Sequence, residues 1–284
     1  MSLEKFKVAL QYVVPQHLIS RLVGKLAASQ NKFISQTFIR LFAKNYNIQL
    51  NDTQVQNFSE FASFNDFFTR ALLPDARAIA DNDIVSPVDG EVSQLGKIDG
   101  DAIFQAKGHN YSLVTLLGGD EENAKPYQNG LFSTIYLSPS DYHRIHMPCT
   151  GKLKRMVYVP GKLFSVNQAT TRNVDGLFAR NERVVCIFDT EFGEMALVLV
   201  GAMIVASIET TWAGVITPPG GKRPFTWHYN DDNAPVIEKG QEMGRFKLGS
   251  TVVLAFEPQA IEFEDSVAAA SKVVLGQALA NALK

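Results

Sequence analysis

The chain has 284 residues, 46% of them hydrophobic and 20% charged, with a formal net charge of −2. That is enough apolar material for a sizeable core, and a charge balance so near neutral gives no footing for a nucleic-acid partner. Cys149 and Cys186 form no metal or redox spacing and read as reduced thiols in a cytoplasmic compartment.

The first fifty residues are different from the rest. They hold seven cations (Lys5, Lys7, Arg21, Lys25, Lys32, Arg40, Lys44) against one acid, Glu4, which leaves an acidic remainder. Pro15 suits a first helical turn, and Leu18, Ile19, Leu22, Val23 and Leu26 then recur at spacings of three and four. Phe33, Ile34, Phe38, Leu41 and Phe42 repeat the pattern. Two amphipathic helices follow from this periodicity. Their apolar stripes could pack on the core or lie in a lipid interface, and both can be partly true; the excess of cations suggests an anionic surface as partner. No run of about eighteen apolar residues exists, so no transmembrane helix is expected. The start, Met1 to Lys5, lacks the apolar core and cleavage site of a signal peptide.

After about residue 80 the pattern changes to short strands. Leu131–Leu137, Leu153–Val159, Arg183–Asp189, Met195–Val200, Ile204–Thr210 and Thr251–Phe256 are separated by turn residues without intervening helices, which predicts an antiparallel body. The expected fold class is therefore α+β: amino-terminal amphipathic helices, residues 1–60, followed by a β-rich, mainly antiparallel catalytic body, residues 61–284. Asp120–Lys125 reads as a solvated loop. Ser266–Leu283 is ambiguous between an alanine-rich helix and a strand with a turn.

Three short segments carry candidate chemistry. Ser86-Pro87-Val88-Asp89-Gly90 places an acid in a Pro- and Gly-bounded turn. Leu137 to Pro148 holds two of the five histidines, His143 and His146, in one Pro-bounded loop. A zinc site there is disfavoured, because only Cys149 stands near as a further ligand. Leu248-Gly249-Ser250-Thr251 precedes an apolar run, and a Gly-Ser bond is one a chain can cut by itself: the Gly249 carbonyl is unshielded and the Ser250 hydroxyl lies next to it. Asp89, His146 and Ser250 together supply the acid, base and nucleophile of a charge-relay triad, although spacing does not show that they meet.

These three segments resemble the signatures of the phosphatidylserine decarboxylase proenzymes. So do Phe67-Phe68-Thr69-Arg70, Phe164-Ser165-Val166-Asn167, Arg180-Asn181-Glu182-Arg183, Glu191-Phe192-Gly193 leading into Val200-Gly201-Ala202, and Trp212-Ala213-Gly214. The matches run in order from about residue 60 to 257. The resemblance implies that His146, oriented by Asp89, deprotonates Ser250, which attacks the Gly249 carbonyl. Chains 1–249 and 250–284 would result and remain associated, with Ser250 converted to a pyruvoyl group as cofactor and Schiff-base site. Neither a metal nor pyridoxal phosphate is expected. Decarboxylation needs such an electron sink, because no ordinary side chain delocalises the α-carbanion.

The resemblance further implies phosphatidylserine as substrate, a homodimer, and peripheral attachment at the cytoplasmic face of the cell membrane. His143 is a candidate proton donor to the α-carbon, or else only a positioning residue. Arg144 is a candidate for the lipid phosphate, or else a structural ion pair. Two other readings stay open: a serine hydrolase using intact Ser250, although the Gly-x-Ser-x-Gly elbow is absent, and a lipid-binding protein without chemistry.

Overall fold

A computed structural model describes residues 3–203, 207–218, 222–247 and 250–283. The amino-terminal helices are α1 (Leu3–Val13), α2 (Gln16–Ala27) and α3 (Lys32–Tyr46). Asn31 caps α3 by accepting from the Phe33 and Ile34 amides, and Asn47 ends it in the left-handed conformation. The periodicity located α2 and α3, and in α3 its Phe38 and Phe42 pack on the aromatic cluster around Phe64, but it did not give the packed face of α2. In α2 the buried residues are Gln16, Ser20 and Ala27, whereas Leu18, Leu22 and Leu26 point outward. In α3 Ser35, Ile39 and Ala43 are buried, and Phe33 is 82% exposed. Leu18, Leu22, Leu26 and Phe33 therefore do not pack on the core. In α2 the small and polar Gln16, Ser20 and Ala27 allow close approach to the body, leaving its leucine stripe open.

A short helix, α4 (Phe64–Phe68), joins this region to the body. Ser63 and Asp66 form a reciprocal capping box, which fixes the helix start. Phe64, Phe67 and Phe68 then fall on one face and pack edge-on against Phe42.

The body is built on a nine-stranded sheet. Its main path runs Phe225–His228, Gly151–Val159, Arg183–Thr190, Gly193–Val200, Ser250–Phe256, Leu131–Leu137, Gly90–Lys97 and Lys272–Val273, and Val236–Ile237 pairs beside Gly151–Val159. All pairings between named strands are antiparallel. Ser250–Phe256 lies at the centre, and every one of its residues is buried. Side chains alternate between two core clusters. Val252, Leu254 and Phe256 face one, and Val253 and Ala255 face the other. A smaller sheet orders Gly214–Val215, Ser207–Thr210, Glu242–Lys247 and Arg144–His146.

The α+β expectation holds, and five of the six expected strands fall within a residue or two of their observed limits. Of the sixth, Ser207–Thr210 is a strand, and residues 204–206 lie outside the described residues. One local expectation changes and one ambiguity resolves. Glu121–Ala124 is a helical turn rather than a loop, because Asp120 caps it and Asn123 and Ala124 are buried. Ser266–Leu283, open between helix and strand with a turn, takes the second form: Lys272–Val273 is a strand, and Ala278–Ala282 pairs with both Ile84–Val85 and Ile261–Phe263. Partners on both sides outweigh the intrinsic helix preference of alanine.

Candidate active site

The candidate residues gather at the carboxyl end of the Leu131–Leu137 strand. Ser250 opens its own strand opposite Leu137. On the other flank Gly90 begins the neighbouring strand, close enough that a Cβ there would meet the Tyr136 carbonyl oxygen at 2.5 Å. Glycine at this turn thus permits the close approach that sets Asp89 beside the strand end. Beyond Leu137 the chain turns: the Ser138 amide donates to the Asp141 carboxylate at 2.7 Å, and the Asp141 amide donates to the Ser138 carbonyl at 2.9 Å. This turn delivers His143 and then the strand that carries His146. The segment read as one loop therefore contains a strand, Arg144–His146, paired with Glu242–Lys247.

His143 is fully buried. Its Nδ1 donates to the Asp141 carbonyl at 2.8 Å, and its ring lies 4.1 Å from that of Phe68. A carbonyl only accepts, so Nδ1 carries the proton and Nε2 bears the lone pair. Nε2 has no hydrogen-bond partner. Burial pushes the His143 pKa down to about 3, with the Asp141 hydrogen bond opposing, so the ring is neutral near pH 7.

His146 is half-buried. Its Nδ1 donates to the Gly240 carbonyl at 2.7 Å, and the Tyr142 hydroxyl lies 3.1 Å from Nε2. By the same reasoning Nε2 accepts from Tyr142. Burial also lowers the pKa of this imidazole, with the Gly240 hydrogen bond opposing. It is thus a neutral ring whose basic nitrogen is covered by a phenol that burial keeps protonated.

The turn carrying Asp89 touches His146 through the backbone, where the His146 amide donates to the Pro87 carbonyl at 2.9 Å. The Asp89 carboxylate does not bond the imidazole. Its oxygens take Arg77 Nε at 3.1 Å, Arg77 Nη2 at 2.6 Å and the Leu275 amide at 2.8 Å. Ser250 is fully buried, and its hydroxyl has no partner. Leu248 and Gly249 lie outside the described residues. Arg144 is engaged on both sides of its guanidinium, Nε with the Thr69 carbonyl at 2.8 Å and Nη1 with Glu242 at 2.7 Å.

The structure therefore brings Asp89, His143, His146 and Ser250 to one end of the sheet without joining them in a hydrogen-bonded relay. Sequence reasoning did not pick out Arg77, Tyr142, Gly240 or Phe68 as partners. Tyr142 and Phe68 stand within the segments quoted above, but Gly240 acts through a backbone carbonyl and Arg77 belongs to no motif. Among the described residues, no group of three or more His, Cys, Asp or Glu side chains is placed to hold a metal ion.

These features define a class: an α+β protein whose candidate nucleophile is a buried serine heading a central strand, with two neutral imidazoles at the same sheet end. The sequence profile of the family described as phosphatidylserine decarboxylase matches residues 64–281, and a second, described as PSD, matches residues 6–47. The chain is 58% identical over 284 residues to a phosphatidylserine decarboxylase proenzyme of Shewanella pealeana, covering 98% of this chain and 99% of the relative. It is 58% identical over 266 residues to a proenzyme of the same description from Pseudoalteromonas atlantica, covering 92% and 93%, and 56% identical to one from Shewanella halifaxensis, covering 98% and 99%. The chain belongs to the phosphatidylserine decarboxylase family.

Proposed function

We infer that this chain is a self-processing decarboxylase that converts phosphatidylserine to phosphatidylethanolamine and carbon dioxide, using a pyruvoyl group made from its own Ser250. The observation that carries the self-processing part is the burial of Ser250. In the uncut chain a hydroxyl with no exposure and no partner, at the head of a central strand, is out of reach of an external acyl group but adjacent in the chain to the Gly249 carbonyl, and only the cut that frees the head of the strand would open position 250 to substrate. The same observation disfavours the serine hydrolase.

In the cut, the Ser250 oxygen adds to the Gly249 carbonyl carbon as its proton passes to an imidazole. The Gly249–Ser250 C–N bond breaks and an ester replaces the amide. Loss of the Ser250 α-proton then expels the Gly249 carboxylate, breaking the Cβ–O bond and leaving dehydroalanine. Its imine tautomer takes up water and releases ammonia, which leaves a pyruvoyl residue at the head of chain 250–284. We assign the base to His146, whose Nε2 lone pair must first be freed from the Tyr142 hydroxyl, and the acid to Asp89.

The residues present fit a pyruvoyl group at position 250. The position is buried, lies on a rigid central strand and leaves its side-chain oxygen without a partner, and His143 Nε2 is a second orphaned polar atom in the same cluster of elements. When formed, the group supplies the carbonyl that accepts the electron pair released with carbon dioxide. His143 is assigned to proton transfer. Its Nε2 carries no proton in the resting site, so it can take one from the substrate ammonium and return it to the α-carbon. The Asp141 carbonyl and Phe68 hold the ring's direction.

The amino-terminal region, residues 1–60, is assigned to an anionic membrane at its cytoplasmic face. Leu18, Leu22, Leu26, Phe33 and Leu41 are exposed on helices that also carry Arg21, Lys25, Lys32, Arg40 and Lys44. No described helix is long and apolar enough to cross a membrane. Leu18→Glu with Leu22→Glu is expected to cut co-sedimentation with vesicles containing anionic lipid by about tenfold or more, with thermal stability unchanged. Undiminished binding would overturn this assignment.

The test of the whole reading is the intact mass of the purified wild-type chain under denaturing conditions. Two pieces divided after Gly249, the smaller with a pyruvoyl terminus, are expected together with phosphatidylserine decarboxylation. A wild-type chain that remains uncut would overturn the self-processing reading, with or without decarboxylase activity.

A further inference from the structure

Asp89 is 8% exposed, so its charge must be met within the protein. It is met mainly by one side chain. The fork of Arg77 takes both carboxylate oxygens, and Nη1 of the same guanidinium reaches Asp52 at 3.1 Å. A planar, always-charged fork is suited to fixing a carboxylate plane as well as neutralising it. Its own charge is stabilised in return, since the hydrogen bond to Asp89 raises the Arg77 pKa despite burial.

The two carboxylates come from opposite sides of a boundary. Asp52 lies in the turn that follows α3, between Leu50, buried with the aromatic cluster of α4, and Thr53, which bridges to Leu72. The Leu73 amide donates to the Asp52 carbonyl at 2.9 Å, so the chain leading to Arg77 is also tied to this turn. Asp89 lies in the body, beside His146. Between them is a polar cavity of about 440 Å³ whose walls include Asp52, Arg77, Asp89, Asp141 and Tyr142. Tyr142 is the residue that covers His146 Nε2. The carboxylate and the phenol that must rearrange for His146 to act thus line one space, and Arg77, which holds the carboxylate, is itself tied to Asp52 of the amino-terminal region.

We propose that Arg77 is the positioning residue of Asp89 in self-processing, and that through Asp52 it makes the placement of Asp89 depend on the seating of the amino-terminal region. The inference rests on the self-processing reading. Arg77 touches none of the reacting atoms. It sets where the carboxylate stands, and Asp52 sets where Arg77 stands.

The experiment follows the fraction of full-length chain cut against time by intact mass, for wild type, Arg77→Gln, Arg77→Lys, Asp52→Asn, Asp89→Asn and the Arg77→Gln/Asp89→Asn double variant. Arg77→Gln is expected to slow cutting by about tenfold or more, Arg77→Lys to recover part of the rate, and Asp52→Asn to slow it by a few-fold. The double variant should cut no more slowly than Asp89→Asn alone. A merely structural Arg77 would lower the melting temperature and leave this non-additivity absent. Cutting of Arg77→Gln at the wild-type rate, or losses that add in full to those of Asp89→Asn, overturns the inference while the self-processing reading stands. If Arg77→Gln does not fold, the Arg77→Lys/Asp89→Asn pair replaces it in the cycle, with the same two outcomes. A wild-type chain that remains uncut overturns the self-processing reading, and this inference with it.

Discussion

A chain with alanine at position 250 is expected to remain in one piece of 284 residues and to lose decarboxylation by at least about 10³-fold. Alanine removes the only oxygen that the Gly249 carbonyl can receive from its successor, and with it the precursor of the cofactor. The fold should tolerate the change. Ser250 is buried but its hydroxyl bonds nothing, so its removal leaves no partner unsatisfied and trades a buried polar group for a methyl. An unaltered melting temperature beside a complete block of cutting would separate chemistry from folding. His146→Ala is expected to give the same uncut product. Two pieces from either variant, seen by intact mass, would show that the oxygen or the base is wrongly assigned.

His143→Ala is expected to behave in the opposite way: cut normally, then turn substrate over about 10²- to 10⁴-fold more slowly. The separation follows from the site. His146 and His143 hang on different carbonyls, Gly240 and Asp141, so losing one ring does not release the other. Stability carries a second signature. His143 is neutral in the fold down to a pKa of about 3, whereas in the unfolded chain it binds a proton below its ordinary 6.5. Its contribution is therefore complete above pH 6.5 and is lost as pH falls from 6.5 toward 3, because the unfolded state binds more protons in that window. His143→Ala should flatten the acid limb of a stability–pH curve while lowering the plateau, since the ring also fills space against Phe68. Turnover that is unchanged per cut chain would overturn the assignment of His143 to proton transfer.

Much of this molecule was legible in its sequence, and the exceptions share a cause. Leu131–Leu137 was read to its observed limits because β-branched and aromatic residues bounded by turn residues leave few alternatives. The helix periodicity was also plain in Leu18, Leu22 and Leu26. Which surface that stripe meets is a matter of what lies beside it, and here Gln16, Ser20 and Ala27 took the packed face. At the site, Asp89, His146 and Ser250 were found through motifs. The side-chain hydrogen bonds of Asp89 and His146 run to Arg77, Leu275, Gly240 and Tyr142, and those to Leu275 and Gly240 use backbone groups that side-chain patterns do not reveal. Arg77 is more than a hundred and fifty positions away from Ser250 and stands in a segment without regular structure, so nothing local marks it.

The central place of the Ser250–Phe256 strand has a consequence for how the protein comes apart. Before the cut, unfolding and refolding concern a single molecule, and the midpoint of melting is independent of how much protein is present. After a cut between Gly249 and Ser250, the strand held by seven register pairs on one side and six on the other would belong to a separate peptide. Refolding then requires an encounter between two molecules, so the midpoint should rise with protein concentration, and dilution of the denatured sample should favour loss of the smaller piece. Maturation would thus make stability depend on the amount of protein present, and the rate at which the middle strand is let go would set how soon a diluted molecule comes apart.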